Sequence, residues 1–376
     1  MPDLSVEIAG LKLKNPIGVS SCPASRDAKR IRKAFSAGAA FAVTKTISTQ
    51  PASLFVPKPH MAELKIGFFN AELWSELSLE EWLERELPES RKIAKENNGA
   101  LIVSVGHKPS EVREVVEHVY YYADAIEVSL AYLEEIDDMR KAVKYAKEVS
   151  GKPVIAKPGV IPHGRIAGFV DRMLEAGADA FNFTDSYGPV LALDISTFIS
   201  REQLEGRALL GSRLGLGWLS GGPLKYMTMR MIAEAKLHRE SLQIFGTGGV
   251  SSGYDALELM LVGANAIQVC TSVILTNYKS ISVIINQLSE LVERMGHESI
   301  KNVIGQALRK LPKEELKIFT PTYNRDKCVG CGLCAESCMY DAIETTPQKK
   351  IKINYSKCFG CGLCITRCRY GALNYT

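Results

Sequence analysis

Eight of the ten cysteines in this chain of 376 residues fall near its C-terminal end, as two copies of C-x2-C-x2-C-x3-C: Cys328, Cys331, Cys334 and Cys338, then Cys358, Cys361, Cys364 and Cys368. Thiolates at this spacing wrap a 4Fe-4S cubane with three ligands from one run and leave the fourth cysteine for the other cluster. The expected ligand sets are therefore Cys328, Cys331, Cys334 with Cys368, and Cys358, Cys361, Cys364 with Cys338. A disulfide framework would call for an oxidising compartment, and Met1–Gly10 shows no basic start followed by an apolar run. A cytoplasmic location is the expectation. Structural zinc is disfavoured too: the last fifty-odd residues hold no histidine, and zinc ribbons separate their cysteine pairs by a dozen residues or more.

The same segment is an internal repeat. KCVGCGLC from Lys327 recurs as KCFGCGLC from Lys357, each followed by a tyrosine, Tyr340 or Tyr370, and a small-apolar pair. Glycines at 330, 332, 360 and 362 suit a tight backbone that turns its amides toward cluster sulfurs. Residues 321–376 thus resemble a bacterial two-cluster ferredoxin, with Met339 and Arg369 where a proline usually follows the fourth cysteine. The expected organisation is a large domain over 1–320 and a ferredoxin-like domain over 321–376.

At 46% hydrophobic and 23% charged residues, the chain is long enough for one large core and one small one. No apolar run reaches a membrane-spanning length. The formal charge of +4 is spread along the chain, which gives no reason to expect nucleic acid or a membrane as partner. Basic residues outnumber acids in the tail, among them Arg325, Lys327, Lys349, Lys350, Arg367 and Arg369. They read as a solvated face, or as a docking patch for an acidic electron carrier.

Ahead of the tail, eight short apolar runs alternate with amphipathic stretches of helical length: Pro16–Ser20, Phe41–Lys45, Leu101–Val105, Ala125–Ser129, Pro153–Lys157, Ala180–Thr184, Gln243–Thr247 and Ala266–Cys270. Strands with no polar face belong in a buried parallel sheet. Eight such units predict an α/β fold of the (β/α)8 type, a TIM barrel, whose chemistry lies at the C-terminal strand ends.

Those ends carry a pattern. GTGGV after the seventh strand leads toward a helix near Ser251, and Cys270, Thr271 and Ser272 follow the eighth. Bared amides in these two loops suit a phosphate. No G-x-G-x-x-G follows the first strand, and Gly215 and Gly217 lack the third glycine, so nicotinamide binding within this chain is not expected. A phosphate cradle in a protein with one-electron clusters points to FMN, which couples hydride to single-electron transfer. Lys45 and Lys157 close strands two and five. A flavin would give each a partner; a carboxylate such as Asp185 or Glu127 would do so equally.

The segments NPIG from Asn15, VTKT from Val43, FNAELWSE from Phe69, SG at Ser220, GTGG from Gly246 and QVCT from Gln268 resemble the FMN barrel of dihydropyrimidine dehydrogenases and, less closely, dihydroorotate dehydrogenases. The resemblance runs the length of the barrel and includes the ferredoxin tail. It implies an FMN site at Ser20, Lys45, Asn70, Lys157, Ser220, Gly221, Gly248, Gly249 and Thr271. It also implies an electron-exchanging partner, either a nicotinamide-dependent flavoprotein subunit or a ferredoxin, and pairing of barrels into a homodimer.

The substrate half of the pattern is altered. Where that family ends strand four in Asn-x-Ser-Cys-Pro, this chain has Glu127, Val128, Ser129, Leu130 and Ala131. Leucine moves no proton. Thr184 and Asp185 stand where the family has Asn-Thr, and of its substrate amides only Asn70 remains. Candidate replacements for the acid or base are Cys22, Glu127 and Asp185, with Tyr132 and His163 also near strand ends. Against each stands a plainer role: Cys22 as a small buried side chain, Glu127 paired with Lys157 or Lys45, Asp185 as an ion-pair partner. Three functions follow: an FMN- and cluster-dependent enzyme acting on a C–C bond of a small substrate that need not be a pyrimidine, an electron-transfer subunit with no substrate of its own, or a pyrimidine enzyme with a relocated acid.

Overall fold

Every residue of eight short strands is buried: β1 (Ile17–Val19), β2 (Phe41–Val43), β3 (Ala100–Gly106), β4 (Ala125–Ser129), β5 (Val154–Lys157), β6 (Ala180–Phe183), β7 (Ile244–Thr247) and β8 (Ala266–Val269). Strands so apolar on both faces must be covered on both. In the computed structural model they run parallel and close in chain order into a barrel, with β8 hydrogen-bonded to β1. All eight predicted strands are therefore present as the closed (β/α)8 barrel expected. The structure describes residues 1–106, 108–199, 206–312 and 319–375.

The outer layer follows from helical periodicity. Helix α1 (Ala28–Ser36) turns Ala28, Ile31, Ala34 and Phe35 inward, and its N-cap Asp27 accepts the Arg30 N–H at 2.8 Å, satisfying a donor that the helix leaves open. Helices α2 (Leu87–Glu96), α3 (Pro109–Val119), α4 (Ile136–Ser150), α5 (Ile166–Glu175), α6 (Leu224–His238), α7 (Gly253–Leu261) and α8 (Lys279–Arg294) complete the ring. Near the N-terminal strand ends Phe41 and Phe245 meet edge to face at 5.4 Å. A Cβ on Gly18 would lie 2.5 Å from the Phe41 ring, so packing requires glycine there.

One layer went unrecognised in the sequence. Met61–Leu64, Gly67–Asn70, Leu216–Ser220 and Tyr187–Leu191 form a four-stranded antiparallel sheet, drawn from insertions far apart in the chain. Its strands mix buried and exposed positions without the continuous apolar run that marks the barrel. It pairs Trp218 with Asn70 and Ser220 with Phe68, which brings two of the expected cofactor residues onto neighbouring strands.

The chain divides into two compact units, Met1–Arg309 and Lys310–Thr376. In the smaller, Thr322–Tyr323 pairs with Leu373–Asn374 and Ile343–Thr345 with Ile351–Ile353, so the strand after each cysteine run enters an antiparallel pair. Short helices Leu333–Glu336 and Leu363–Arg367 each begin after a glycine at positive φ, Gly332 at 79° and Gly362 at 76°. The apolar core of this unit is small, and Cys334 and Cys364 are part of it together with Ile343, Ile351 and Leu373. No helix among the described residues is long and apolar enough to cross a membrane.

Candidate active site

Side chains alternate along a strand, so Glu127 in the middle of β4 and Lys157 at the end of β5 enter the barrel interior in successive layers; Glu127 pairs in register with Ile155, two residues before Lys157. Glu127 is fully buried. Its Oε2 accepts from Asn182 Nδ2 at 2.7 Å and from Gln268 Nε2 at 3.0 Å, and Thr247 Oγ1 donates to Asn182 Oδ1 at 2.6 Å. Side chains from β4, β6, β7 and β8 thus hold the carboxylate in place. Its other oxygen lies 3.6 Å from Lys157 Nζ, and Asp185 Oδ2 lies 3.7 Å from the same ammonium. Burial pulls the Lys157 pKa down, but Asp185 and then Glu127 outweigh it and carry it above the ordinary lysine value. The ammonium is charged, and among the described residues it donates no hydrogen bond. Glu127 was expected at the barrel mouth; the structure puts it a layer deeper, because it is the third residue of a five-residue strand.

Above this layer a cavity of about 150 Å³ is lined by Cys22, Lys45, Asn70, Tyr132, Asp185, Ser220 and Cys270 among others. It brings together residues from five βα loops and the antiparallel sheet. Lys45, following β2, is buried between Glu72 and Glu76, the latter 2.6 Å from its Nζ. Both carboxylates belong to the FNAELWSE segment. The two expected lysines therefore have carboxylate partners already, Lys45 at hydrogen-bond distance and Lys157 only at ion-pair distance. Asn70 Nδ2 donates to the Trp218 carbonyl at 3.2 Å and to Ser220 Oγ at 3.3 Å, which fixes the amide at the cavity wall.

Cys22 and Cys270 are in contact, a relation that neither sequence position reveals. Burial raises the Cys22 pKa, but a hydrogen bond from Cys270, the Ala24 N–H and the charges of Lys157 and Lys45 bring it below the ordinary thiol value. The hydrogen bond to Cys22, together with burial, raises Cys270. The Tyr132 phenol is pushed up by burial and by Asp185, Glu72 and Glu76, and stays protonated. His163 is outside this arrangement: exposed, it meets Glu234 at 2.6 Å.

Three glycines line the loops ahead of α6 and α7. Gly221, Gly248 and Gly249 have φ of 90°, 110° and 78°, a region that disfavours side chains. A Cβ on Gly249 would lie 2.6 Å from the Lys225 backbone nitrogen, and one on Gly221 would lie 3.2 Å from Thr271 Cγ2. The Gly248 and Gly249 N–H groups meet no acceptor among the described residues. Ser272 Oγ and Gln268 Oε1 are likewise buried without a partner, and Ser20 is buried beside them at the end of β1. Open amides, an unpartnered hydroxyl and a charged lysine with free donors suit an anionic, phosphate-bearing group. The residues fit FMN.

In the small unit a narrow cavity is lined by Cys328, Cys331, Cys334 and Cys368, the crossed set expected for the first cluster. The Ala342 and Ala372 N–H groups donate to Cys338 and Cys368 Sγ, each at 3.3 Å, which repeats one contact across the pseudo-twofold. Among the described residues no three His, Cys, Asp or Glu side chains converge as they would on a single ion. A cubane instead takes one thiolate at each of four irons, so its ligands stay apart. Equivalent glycines are fixed by close backbone approach: a Cβ on Gly330 would lie 1.9 Å from the Lys349 carbonyl and one on Gly360 2.6 Å from that of Phe319. The site fits the clusters.

Against protein families, residues 3–292 match dihydroorotate dehydrogenase and residues 310–372 match the 4Fe-4S dicluster domain. Among curated proteins the chain is 27% identical over 363 residues to the NAD-dependent dihydropyrimidine dehydrogenase subunit PreA of Escherichia coli, covering 90% of this chain and 86% of that one. It is 29% identical over 319 residues to the catalytic subunit of dihydroorotate dehydrogenase B (NAD(+)) of Pyrococcus abyssi, covering 81% and 99%. Chloroplastic dihydropyrimidine dehydrogenase (NADP(+)) of Arabidopsis thaliana is 25% identical over 343 residues, covering 82% and 78%.

Proposed function

The chain belongs to the dihydroorotate dehydrogenase family, as a flavin and iron–sulfur oxidoreductase acting on CH–CH groups with FMN and two 4Fe-4S clusters as cofactors, and from that premise we propose that its substrate is a small molecule other than a pyrimidine. FMN, when bound, exchanges a hydride with the substrate and single electrons with the clusters. The residues proposed to hold it are Ser20, Lys45, Asn70, Lys157, Ser220, Gly221, Gly248, Gly249 and Thr271. Cys328, Cys331, Cys334 and Cys368 are proposed to hold one cluster, and Cys358, Cys361, Cys364 and Cys338 the other.

The observation that carries the reading is the composition of the flavin cavity. Leu130, after β4, is fully buried and its N–H donates to the Lys157 carbonyl at 2.8 Å, so that loop offers no proton. Of the acid or base candidates named from the sequence, Cys22 and Asp185 line this cavity, with Asp185 about one-third exposed. We assign proton transfer to Cys22 Sγ or an Asp185 carboxylate oxygen. Glu127, a layer below, positions the Lys157 ammonium. Tyr132 does not ionise. Electrons pass to or from a separate protein, a nicotinamide-dependent flavoprotein subunit or a ferredoxin, since no nicotinamide fingerprint occurs in this sequence.

The test is the half-reaction. Dithionite-reduced holoprotein is mixed anaerobically with alkenes of several classes, uracil, thymine and orotate among them, and flavin reoxidation is followed. Reoxidation by a non-pyrimidine alkene, slowed ~10²–10⁴-fold in Cys22→Ala or Asp185→Asn, is expected. Reoxidation by pyrimidines alone would establish the relocated-acid enzyme; reoxidation by none, an electron-transfer subunit.

A further inference from the structure

Beside the flavin cavity lies a larger one of about 600 Å³, the size of a small-molecule binding pocket. Ala131, Ser186 and Trp218 line both, so the two spaces share a wall at the mouth of the barrel. The larger space runs outward between the loops after β4 and β5 and the first turns of α4 and α5. Its body is apolar, built from Leu130, Leu133, Ile136, Met139, Val160 and Phe169. Leu130 and Ala131, at which the sequence departs from the pyrimidine pattern, are both among its walls.

Two cations stand on this space. Arg165 and Arg172 are seven residues apart on one face of α5, with Gly168 and Phe169 between them, and both line the cavity. Neither side chain has an ion pair or a hydrogen bond among the described residues. The lining holds one carboxylate, Glu134, so its net charge is positive. Several arginines elsewhere on this barrel are paired, Arg91 with Asp124, Arg207 with Asp194 and Arg230 with Glu234. A planar guanidinium fork matches a carboxylate in shape and charge. Gly168 deepens the space, for a Cβ there would meet nothing within 4 Å.

We propose that this chamber is the specificity subsite of the enzyme and that the substrate is an apolar monocarboxylate, its hydrocarbon body in the chamber and its acid group at Arg165 and Arg172. The inference rests on the reading of the flavin cavity as a substrate site. It accounts for a leucine, Leu130, in the wall of the larger cavity: that wall faces hydrocarbon.

Binding of hexanoate, octanoate, octanamide and octyl phosphate to the oxidised holoprotein, measured by calorimetry, tests it without turnover. Octanoate is expected to bind about tenfold more tightly than hexanoate, from two further buried methylenes. Octanamide should bind at least tenfold more weakly than octanoate, and Arg165→Ala with Arg172→Ala should weaken octanoate about 10–100-fold, as loss of charge-assisted hydrogen bonds does. Gly168→Leu fills the chamber from an open position on a helix and should abolish octanoate binding while leaving FMN content and melting temperature intact. No carboxylate binding at millimolar concentration, binding indifferent to the arginines and to Gly168→Leu, or tenfold preference for octyl phosphate would overturn the proposal. The half-reaction fails or succeeds separately: arginine-dependent octanoate binding without reoxidation by any alkene would uphold the chamber and overturn the proposed substrate reaction at the flavin cavity, whereas reoxidation by an uncharged alkene without octanoate binding would do the reverse.

Discussion

At the scale of single residues, buried charge governs the barrel mouth: Lys45 and Lys157 are both buried beside carboxylates. Glu127 neutralises a buried ammonium and also accepts two amide hydrogen bonds. Glu127→Ala therefore strands Lys157 with Asp185 alone and leaves Asn182 and Gln268 donors unpaired, and should destabilise the barrel by ~3–5 kcal/mol in denaturant unfolding. Because the folded Lys157 pKa is raised, the stability this group contributes is fully present below its ordinary value of 10.5 and is lost as pH climbs through the higher folded value; unfolding measured between pH 7 and 10 should show no loss from it. Cys22 gives a second prediction. Its pKa lies below the ordinary 9.0, so the pH profile of the half-reaction should carry a limb below 9 that disappears in Cys22→Ser. Sequence singled out Cys22, Glu127 and Asp185 because they sit at strand ends. It could not show that Cys270 touches Cys22 or that Glu127 lies a layer beneath the cavity, since both depend on strand register around a closed barrel.

Secondary-structure elements show a similar division. The eight barrel strands were legible because each is a run of buried apolar residues, whereas the antiparallel sheet was not, its short strands being scattered over insertions whose pairing is wholly non-local. Yet that sheet carries Asn70, Trp218 and Ser220 to the cavity. The glycine loops were legible by composition, and the structure supplies the reason: positive φ together with close backbone approach. Gly249→Ala must displace the first turn of α6 at Lys225, so the purified variant should retain its far-UV circular dichroism but lose most of its FMN, measured as flavin per protein. In the tail the repeat leads to the expectation of crossed ligands, and Cys368 lines the cavity of the first run. Cys368→Ser should perturb the cluster held by Cys328, Cys331 and Cys334 and leave the other intact, a difference that electron paramagnetic resonance of the reduced protein resolves.

For the molecule as a whole, the two units differ in what holds them together. The barrel unit has a continuous core built on strands and helices, while the small unit packs a few aliphatic residues around its own cysteines. Domains of that size lean on metal for stability. Oxidative loss or chelation of the clusters should leave residues 310–376 protease-sensitive while a fragment near 1–309 survives; equal digestion of both would contradict it. On the proposed reading the same division holds for function, with electrons entering or leaving through the clusters and substrate chemistry at the barrel mouth. On that reading this mouth, though that of a dihydroorotate dehydrogenase family barrel, does not oxidise dihydropyrimidines or dihydroorotate. This is tested by the anaerobic absorbance of the oxidised holoprotein on mixing with dihydrouracil, dihydrothymine and dihydroorotate in turn. The flavin band should persist with all three and bleach with dithionite; rapid bleaching by any one of them would contradict the account.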